Sequence, residues 1–156
     1  VSQAPQLQEE AVALGPLVRA CLEEMGAEMM RRNIRWQAPE HDPAPVRAHP
    51  AMLRQIVLSL IANAIDAMPE GGELTASLQQ TGARCVLRIT DTGHGISDEV
   101  RQRLFRPFFS TKSGGLGIGL ALVKRMVTQW QGEVTLSANP PRGTCVDIVL
   151  PRATTS

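Results

Sequence analysis

Asp91-Thr92-Gly93-His94-Gly95-Ile96 sets one carboxylate at the end of an apolar, strand-like run and follows it with two glycines. If buried, that carboxylate can accept a hydrogen bond from an amine on a flat heterocycle, and the glycines let backbone approach the ring. Such charge-assisted bonds contribute about 1.5–3 kcal/mol. The exocyclic amine of adenine is a donor of this kind. Guanine presents a carbonyl oxygen instead and leaves the carboxylate unpaired, so adenine would be selected. Thr144, in Arg142-Gly143-Thr144 at the start of a later apolar run, could support the contact through its hydroxyl or a bridging water. On its own, an Asp-Gly pair is equally an ordinary turn. His94, between the glycines, is expected to face solvent.

A second group suits an anion. Gly114-Gly115-Leu116-Gly117-Ile118-Gly119-Leu120 runs straight into a helical pattern. Closely spaced glycines let successive N–H groups turn toward one phosphate, and a helix N-terminus adds free donors and a favourable dipole. No Gly-Lys-Ser/Thr follows, so this is not the Walker pattern. Upstream, Phe105-Arg106-Pro107-Phe108-Phe109-Ser110-Thr111-Lys112 holds all three phenylalanines. They read as an anchor for the loop, with Lys112 placed to meet a terminal phosphate. A third group is the polar stripe Gln55, Ser59, Asn63 and Asp66, at i, i+4, i+8 and i+11 of a helix. It is either a solvated face or, at Asn63, a neutral oxygen donor suited to Mg²⁺ held between protein and phosphates.

These residues need elements to hold them. Apolar spacing predicts a helix over 16–31, through Leu17, Cys21, Met25, Ala27 and Met29, with Pro16 in its first turn. An extended piece, Ile34–Trp36, and a Pro-rich turn at 39–45 follow. A longer helix is expected from Pro50 to Met68, with Leu53, Ile56, Val57, Leu60, Ile61 and Ala64 on one face; Pro69 and Gly71-Gly72 end it. Strands at 74–79 and 85–90 flank a Thr81-Gly82 turn. The Gly- and Pro-rich segment 91–117 exceeds an ordinary connection and reads as a functional loop. A helix over 117–130 and strands at 134–137 and 144–150 complete the order. It predicts an α+β fold, a two-layer α/β sandwich with helices on one face of a mixed, mainly antiparallel sheet.

Composition narrows the function classes. The chain has 156 residues, 43% apolar and 20% charged, with formal net charge +1. That balance gives no field for nucleic acid or an anionic membrane, and with no Tyr and only two Trp there is little to stack bases on. Cys21, Cys85 and Cys145 are far apart, which predicts buried free thiols of a reducing compartment. His41, His49 and His94 lack metal-ligand spacing. No apolar run is long enough to span a membrane.

Taken together and in order, these groups resemble the GHKL superfamily of DNA gyrase, the Hsp90 chaperones, histidine kinases and MutL. Within it the chain is most similar to the catalytic, ATP-binding domain of sensor histidine kinases, particularly the nitrogen-regulatory and oxygen-sensing type. LSLIANAIDAM at 58–68 matches the asparagine box, DTGHGI at 91–96 the first glycine box and FRPFFSTK at 105–112 the phenylalanine box. GGLGIGLALVKRM at 114–126 matches the second glycine box, and RGT at 142–144 the last.

The resemblance implies the GHKL (Bergerat) fold over residues 10–151, with 1–9 a linker from an upstream domain and 152–156 a tail. It implies ATP and Mg²⁺ as ligands. Asn63 would hold the metal, with Asp66 nearby. Asp91 would read adenine beside Gly93, Gly95, Ile96 and Thr144. Thr111 and Lys112 would reach the phosphates, and Gly115, Leu116, Gly117, Ile118, Gly119 and Leu120 would form a lid over them. Asn63 and Lys112 would be the catalytic residues. The implied reaction moves the γ-phosphoryl group to a histidine on a separate upstream dimerisation domain, for relay to a response regulator receiver domain. A cytoplasmic setting follows, with no nucleic acid or membrane contact by this domain, although the parent protein could be anchored.

Two departures from the family pattern bear on this. Ser59 stands where histidine kinases usually carry a second Asn, and where the hydrolysing relatives carry a Glu that activates water. A serine is a poor general base at neutral pH, which disfavours the alternative of a GHKL ATPase. The other alternative is a nucleotide-binding module without phosphotransfer. The family's phosphoacceptor His box is also missing from the sequence, so the acceptor is expected outside it.

Overall fold

A computed structural model describes residues 8–97, 99 and 119–153 of the chain. The elements run β1 (Glu10–Val12), α1 (Leu14–Glu24), α2 (Gly26–Arg31), β2 (Ile34–Gln37), β3 (Val46–Ala48), α3 (Pro50–Asp66), β4 (Gly72–Thr81), β5 (Arg84–Asp91), α4 (Leu120–Gln129), β6 (Glu133–Ala138) and β7 (Thr144–Pro151). Five strands form one sheet in the order β2-β4-β5-β7-β6, and β1 pairs with β3 in a small separate ribbon. Only β2 with β4 is parallel within the large sheet; β4-β5, β5-β7 and β6-β7 are antiparallel. The mixed, mainly antiparallel sheet and its helix layer agree with the expected class.

The long helix α3 holds the core together. His49 caps it, with Nδ1 accepting from the Met52 N–H at 3.1 Å, and Pro50 occupies the first turn, where its missing donor costs nothing. Leu53, Ile56, Val57, Leu60, Ile61, Ala64 and Ile65 are buried along it. The helix stops at Asp66, two residues short of the expected end, and Met68 then tucks into the core. The predicted stripe of polar side chains is not one solvated face: Gln55 and Asp66 are exposed, Asn63 is half-buried and Ser59 is buried. The helix is covered over more of its circumference than a one-sided apolar face requires.

The helix expected over 16–31 divides at Met25, whose N–H still reaches the Cys21 carbonyl at 3.1 Å. Gly26, a weak helix former, sits at the break against Trp36. The division rotates the buried seam. Leu14, Val18, Cys21 and Leu22 face the core in α1, whereas Ala27 is exposed and Met30 stands in solvent. The ribbon strands β1 and β3 were not expected. Three residues each are too short for alternation to show, and β3 directly follows the Pro-rich turn.

In β5 the inward residues are Cys85, Leu87, Ile89 and Asp91, so a carboxylate takes the last place in a row of core-facing positions. Register then decides its neighbour. Thr90 pairs with Cys145 of β7, which brings Asp91 level with Thr144. On the opposite face Arg88 grips Asp147 with two bonds of 2.8 and 2.9 Å and holds that carboxyl below the usual carboxylate range. This cross-strand pair favours the same register. All three cysteines are buried free thiols. Burial pushes each thiol up, Cys85 to about 11, so none is a ready nucleophile at neutral pH.

Candidate functional site

Asp91 is 6% exposed. Its Oδ1 accepts two backbone N–H bonds, from Gly93 at 2.8 Å and from Thr144 at 3.3 Å. Among the described residues, Oδ2 has no hydrogen-bond partner. One oxygen is thus committed to the fold, and no described residue donates to the other. Burial raises the carboxyl above its ordinary value; the Gly93 and Thr144 N–H bonds, and to a lesser extent the His94 ring, oppose that shift.

Sterics place the segment that follows. A Cβ on Gly93 would overlap the Ala67 carbonyl at the end of α3, and the His94 N–H donates to that same carbonyl at 3.0 Å. The loop therefore docks on the C-terminal end of α3, one turn beyond Asn63, whose carbonyl accepts the Ala67 N–H at 3.1 Å. Gly95 has φ +76°, a conformation glycine adopts without strain. Thr92 turns away: its hydroxyl oxygen accepts the Glu73 N–H at 3.0 Å and so ties the loop to β4. His94 is exposed, with Nδ1–H donating to the Gly95 carbonyl at 2.8 Å.

From the other side, Thr144 is 6% exposed and opens β7. Gly143, at φ +121°, lies on the Asp91 carbonyl so closely that a Cβ would overlap it. The turn before it adds contacts that no local pattern predicts. Asn139 Nδ2 donates to the Asp91 carbonyl at 2.8 Å, and Arg142 Nε donates to the Gly93 carbonyl at 3.0 Å. Both reach across 48 or 49 residues of chain, and no local motif announces them.

The helix α4 begins at Leu120, with Gly119 as its N-cap; it was expected from about Gly117. Gly119 is exposed, no side chain caps the helix, and its first turn holds no acidic residue. The N–H groups of that turn are therefore suited to an anion. Leu120 is buried and Ile96 half-buried beside the core. Thr111, Lys112, Gly115, Leu116, Gly117 and Ile118 lie outside the described residues, as do the three phenylalanines.

The donor set can be weighed against Mg²⁺. Among the described residues no group of three His, Cys, Asp or Glu could cage a metal. A single half-buried amide oxygen, Asn63, fits an ion that takes most of its ligands from water and phosphate, as Mg²⁺ does with nucleotides. Asp66, one turn later, is exposed. No described helix is long and apolar enough to cross a membrane.

Comparison with known proteins gives a consistent picture. The family profile "Histidine kinase-, DNA gyrase B-, and HSP90-like ATPase" matches residues 48–154. Sporulation kinase D of Bacillus subtilis is 36% identical over 119 residues, covering 76% of this chain and 24% of that protein. The sensor histidine kinase ZraS of Escherichia coli is 31% identical over 143 residues, covering 91% of this chain and 31% of that one. The chain thus spans about a quarter to a third of these relatives' length. Among solved structures, full-length ShkA in complex with AMPPNP superposes with a TM-score of 0.83 at 27% identity, over 99% of this chain and 33% of that one. The chain therefore belongs to the histidine kinase-, DNA gyrase B- and HSP90-like ATPase family and, within it, to the catalytic domains of two-component sensor histidine kinases.

Proposed function

We propose that this domain binds Mg-ATP with Asp91 as the adenine reader and passes the γ-phosphoryl group to a histidine on a separate dimerisation domain, from which a response regulator receives it. One observation carries the base-reading part: a buried carboxylate whose one oxygen accepts two backbone donors and whose other oxygen has no hydrogen-bond partner among the described residues. Oδ2 accepts the adenine amine, and Thr144 and Gly93 keep the carboxylate aimed. The exposed N-terminus of α4 takes phosphate oxygens on its backbone N–H groups. Asn63 holds the ion, which supplies charge neutralisation at the triphosphate. Lys112 and the lid residues Gly115, Leu116, Gly117, Ile118 and Gly119 complete the phosphate contacts. Positioning and electrostatics are what phosphoryl transfer needs from a protein.

Ser59 is buried and cannot activate a water as a carboxylate would, which favours transfer over hydrolysis. Mixing the chain with a dimerisation domain of a related kinase and γ-labelled ATP should give an acid-labile, histidine-linked label and slow release of free phosphate. Fast phosphate release with no labelled histidine would instead favour an ATPase; ATP binding with neither product would favour a nucleotide-binding module.

Two further outcomes follow. The Asp91 carboxyl must be ionised to accept the adenine amine, and burial raises its pKa. ATP affinity should therefore fall as pH drops through that raised value, above the ordinary range near 4. The sign is opposite for the empty protein. Asp91 favours folding while protonated, below its unfolded pKa, and that contribution is lost as pH rises through the folded pKa. Calorimetric titrations with ATP between pH 4 and 8, alongside Asp91→Asn, should show an acid limb in the wild type that the variant lacks. Separately, Asn63→Ala should remove the increment in ATP affinity that Mg²⁺ gives. An equal Mg²⁺ increment in both proteins would take Asn63 out of the metal site.

A further inference from the structure

We infer that Asn139 and Arg142, in the turn between β6 and β7, are positioning residues that set base selectivity by clamping the backbone on either side of Thr92; the inference rests on Asp91 being the adenine reader. The Asp91–Gly93 segment carries the reading carboxylate and leaves the sheet after Asp91; Thr92 ties it to β4 and Gly93 rests on the end of α3, but neither contact holds the Asp91 carbonyl. Three contacts come from the β6–β7 turn and a fourth from Thr144, the first residue of β7. Asn139 Nδ2 donates to the Asp91 carbonyl at 2.8 Å, Arg142 Nε donates to the Gly93 carbonyl at 3.0 Å, Gly143 lies directly on the Asp91 carbonyl, and the Thr144 N–H reaches Asp91 Oδ1 at 3.3 Å. The turn is closed on itself by the Asn139 N–H, which donates to the Gly143 carbonyl at 3.0 Å.

The Thr144 bond to Oδ1 is long and fixes the carboxylate only if the Asp91 main chain is itself held. Asn139 supplies that hold at the residue's own carbonyl, and Arg142 supplies it two residues on. Neither side chain is buried, so neither is needed to fill the core. Adenine discrimination depends on where Oδ2 points, because a carboxylate displaced by about 1 Å, or turned well off the N–H axis, loses its bond to the amine. Guanine held in the same pose sets its O6 carbonyl against Oδ2 and makes no bond there that could be lost. Loosening the clamp should therefore weaken ATP binding and leave GTP binding nearly as it was.

Substitution at 139 separates positioning from packing. Asn139→Ala removes the donor. Asn139→Asp keeps the shape but sets a carboxylate against the Asp91 carbonyl and near the Asp91 side chain. We expect the Kd for ATP to rise about tenfold in Asn139→Ala and further in Asn139→Asp, with the Kd for GTP changing less than about twofold. Arg142→Ala should act in the same direction, and Arg142→Lys, which keeps a donor, should recover part of the loss. The measurements are calorimetric Kd values for ATP and GTP on the 156-residue chain, with thermal melting of each variant. The inference is overturned if Asn139→Asp keeps the wild-type ATP to GTP ratio, if ATP and GTP weaken equally, or if the loss of ATP affinity appears only with a large drop in melting temperature. If the wild type shows no preference for ATP over GTP, the assignment of Asp91 itself falls, which is a different failure.

Discussion

Asp91→Asn is expected to lower ATP affinity by about a hundredfold or more. The substitution is isosteric, and the amide oxygen can still accept the Gly93 and Thr144 N–H bonds that hold Oδ1 in the native chain. The amide nitrogen then takes the place of Oδ2 and points a donor at the donor amine of adenine. A charge-assisted bond is lost and a donor–donor contact replaces it. The same amide can donate to the carbonyl oxygen of guanine, so the ATP to GTP ratio should fall and could invert. The fold should survive, since it keeps its backbone bonds and loses a buried charge that disfavoured it. Parallel ATP and GTP titrations decide the point. An unchanged ATP to GTP ratio would remove Asp91 from the base site.

Gly143→Ala is expected to destabilise the domain by about 2–4 kcal/mol and to abolish measurable nucleotide binding. Two penalties combine there. The residue has φ +121°, which side chains other than glycine's rarely tolerate, and its new Cβ would overlap the Asp91 carbonyl and crowd Thr92. Relief requires the β6–β7 turn to move away from the Asp91–Gly93 segment, which separates the Thr144 N–H from Oδ1. Melting temperature should drop by roughly 5–15 °C. Gly82→Ala is the matched control: it also has positive φ, but a Cβ there meets nothing within 4 Å, so only the backbone penalty remains, about 1 kcal/mol. If the two variants melt alike, the close approach of Gly143 to Asp91 is not what that glycine serves.

The parts of the fold that could be read from the sequence are those with strong local signals. The helix α3 has a long apolar period, a proline at its start, and proline and paired glycines after its end. The hairpin of β4 and β5 shows alternation on both sides of a Thr-Gly turn. Asp91 stood out because a carboxylate closes an apolar run and glycines follow. Signals failed where structure depends on distant chain. Nothing near Met25 breaks the helical pattern except one glycine, and the neighbour it faces there, Trp36, lies ten residues on in the chain. Ser59 looked like part of a solvated stripe because periodicity reports one face of a helix and not how far its neighbours wrap around it. Asn139 and Arg142 lie in a turn whose composition is that of any turn; their partners are set by strand register, which no short window contains.

The base-reading end of the site is more legible in the sequence than its support. The reader is a single side chain with local neighbours. The support is a meeting of the α3 C-terminus, the Asp91–Gly95 loop and the β6–β7 turn, and it exists only once the sheet has formed.

A structure of the chain with Mg²⁺ and a non-hydrolysable ATP analogue addresses the central claim most directly. We expect the adenine amine within about 2.7–3.1 Å of Asp91 Oδ2, with Oδ1 still bonded to the Gly93 and Thr144 N–H groups. A nucleotide bound with its base away from Asp91, or with Oδ2 turned to a protein donor instead, would contradict it.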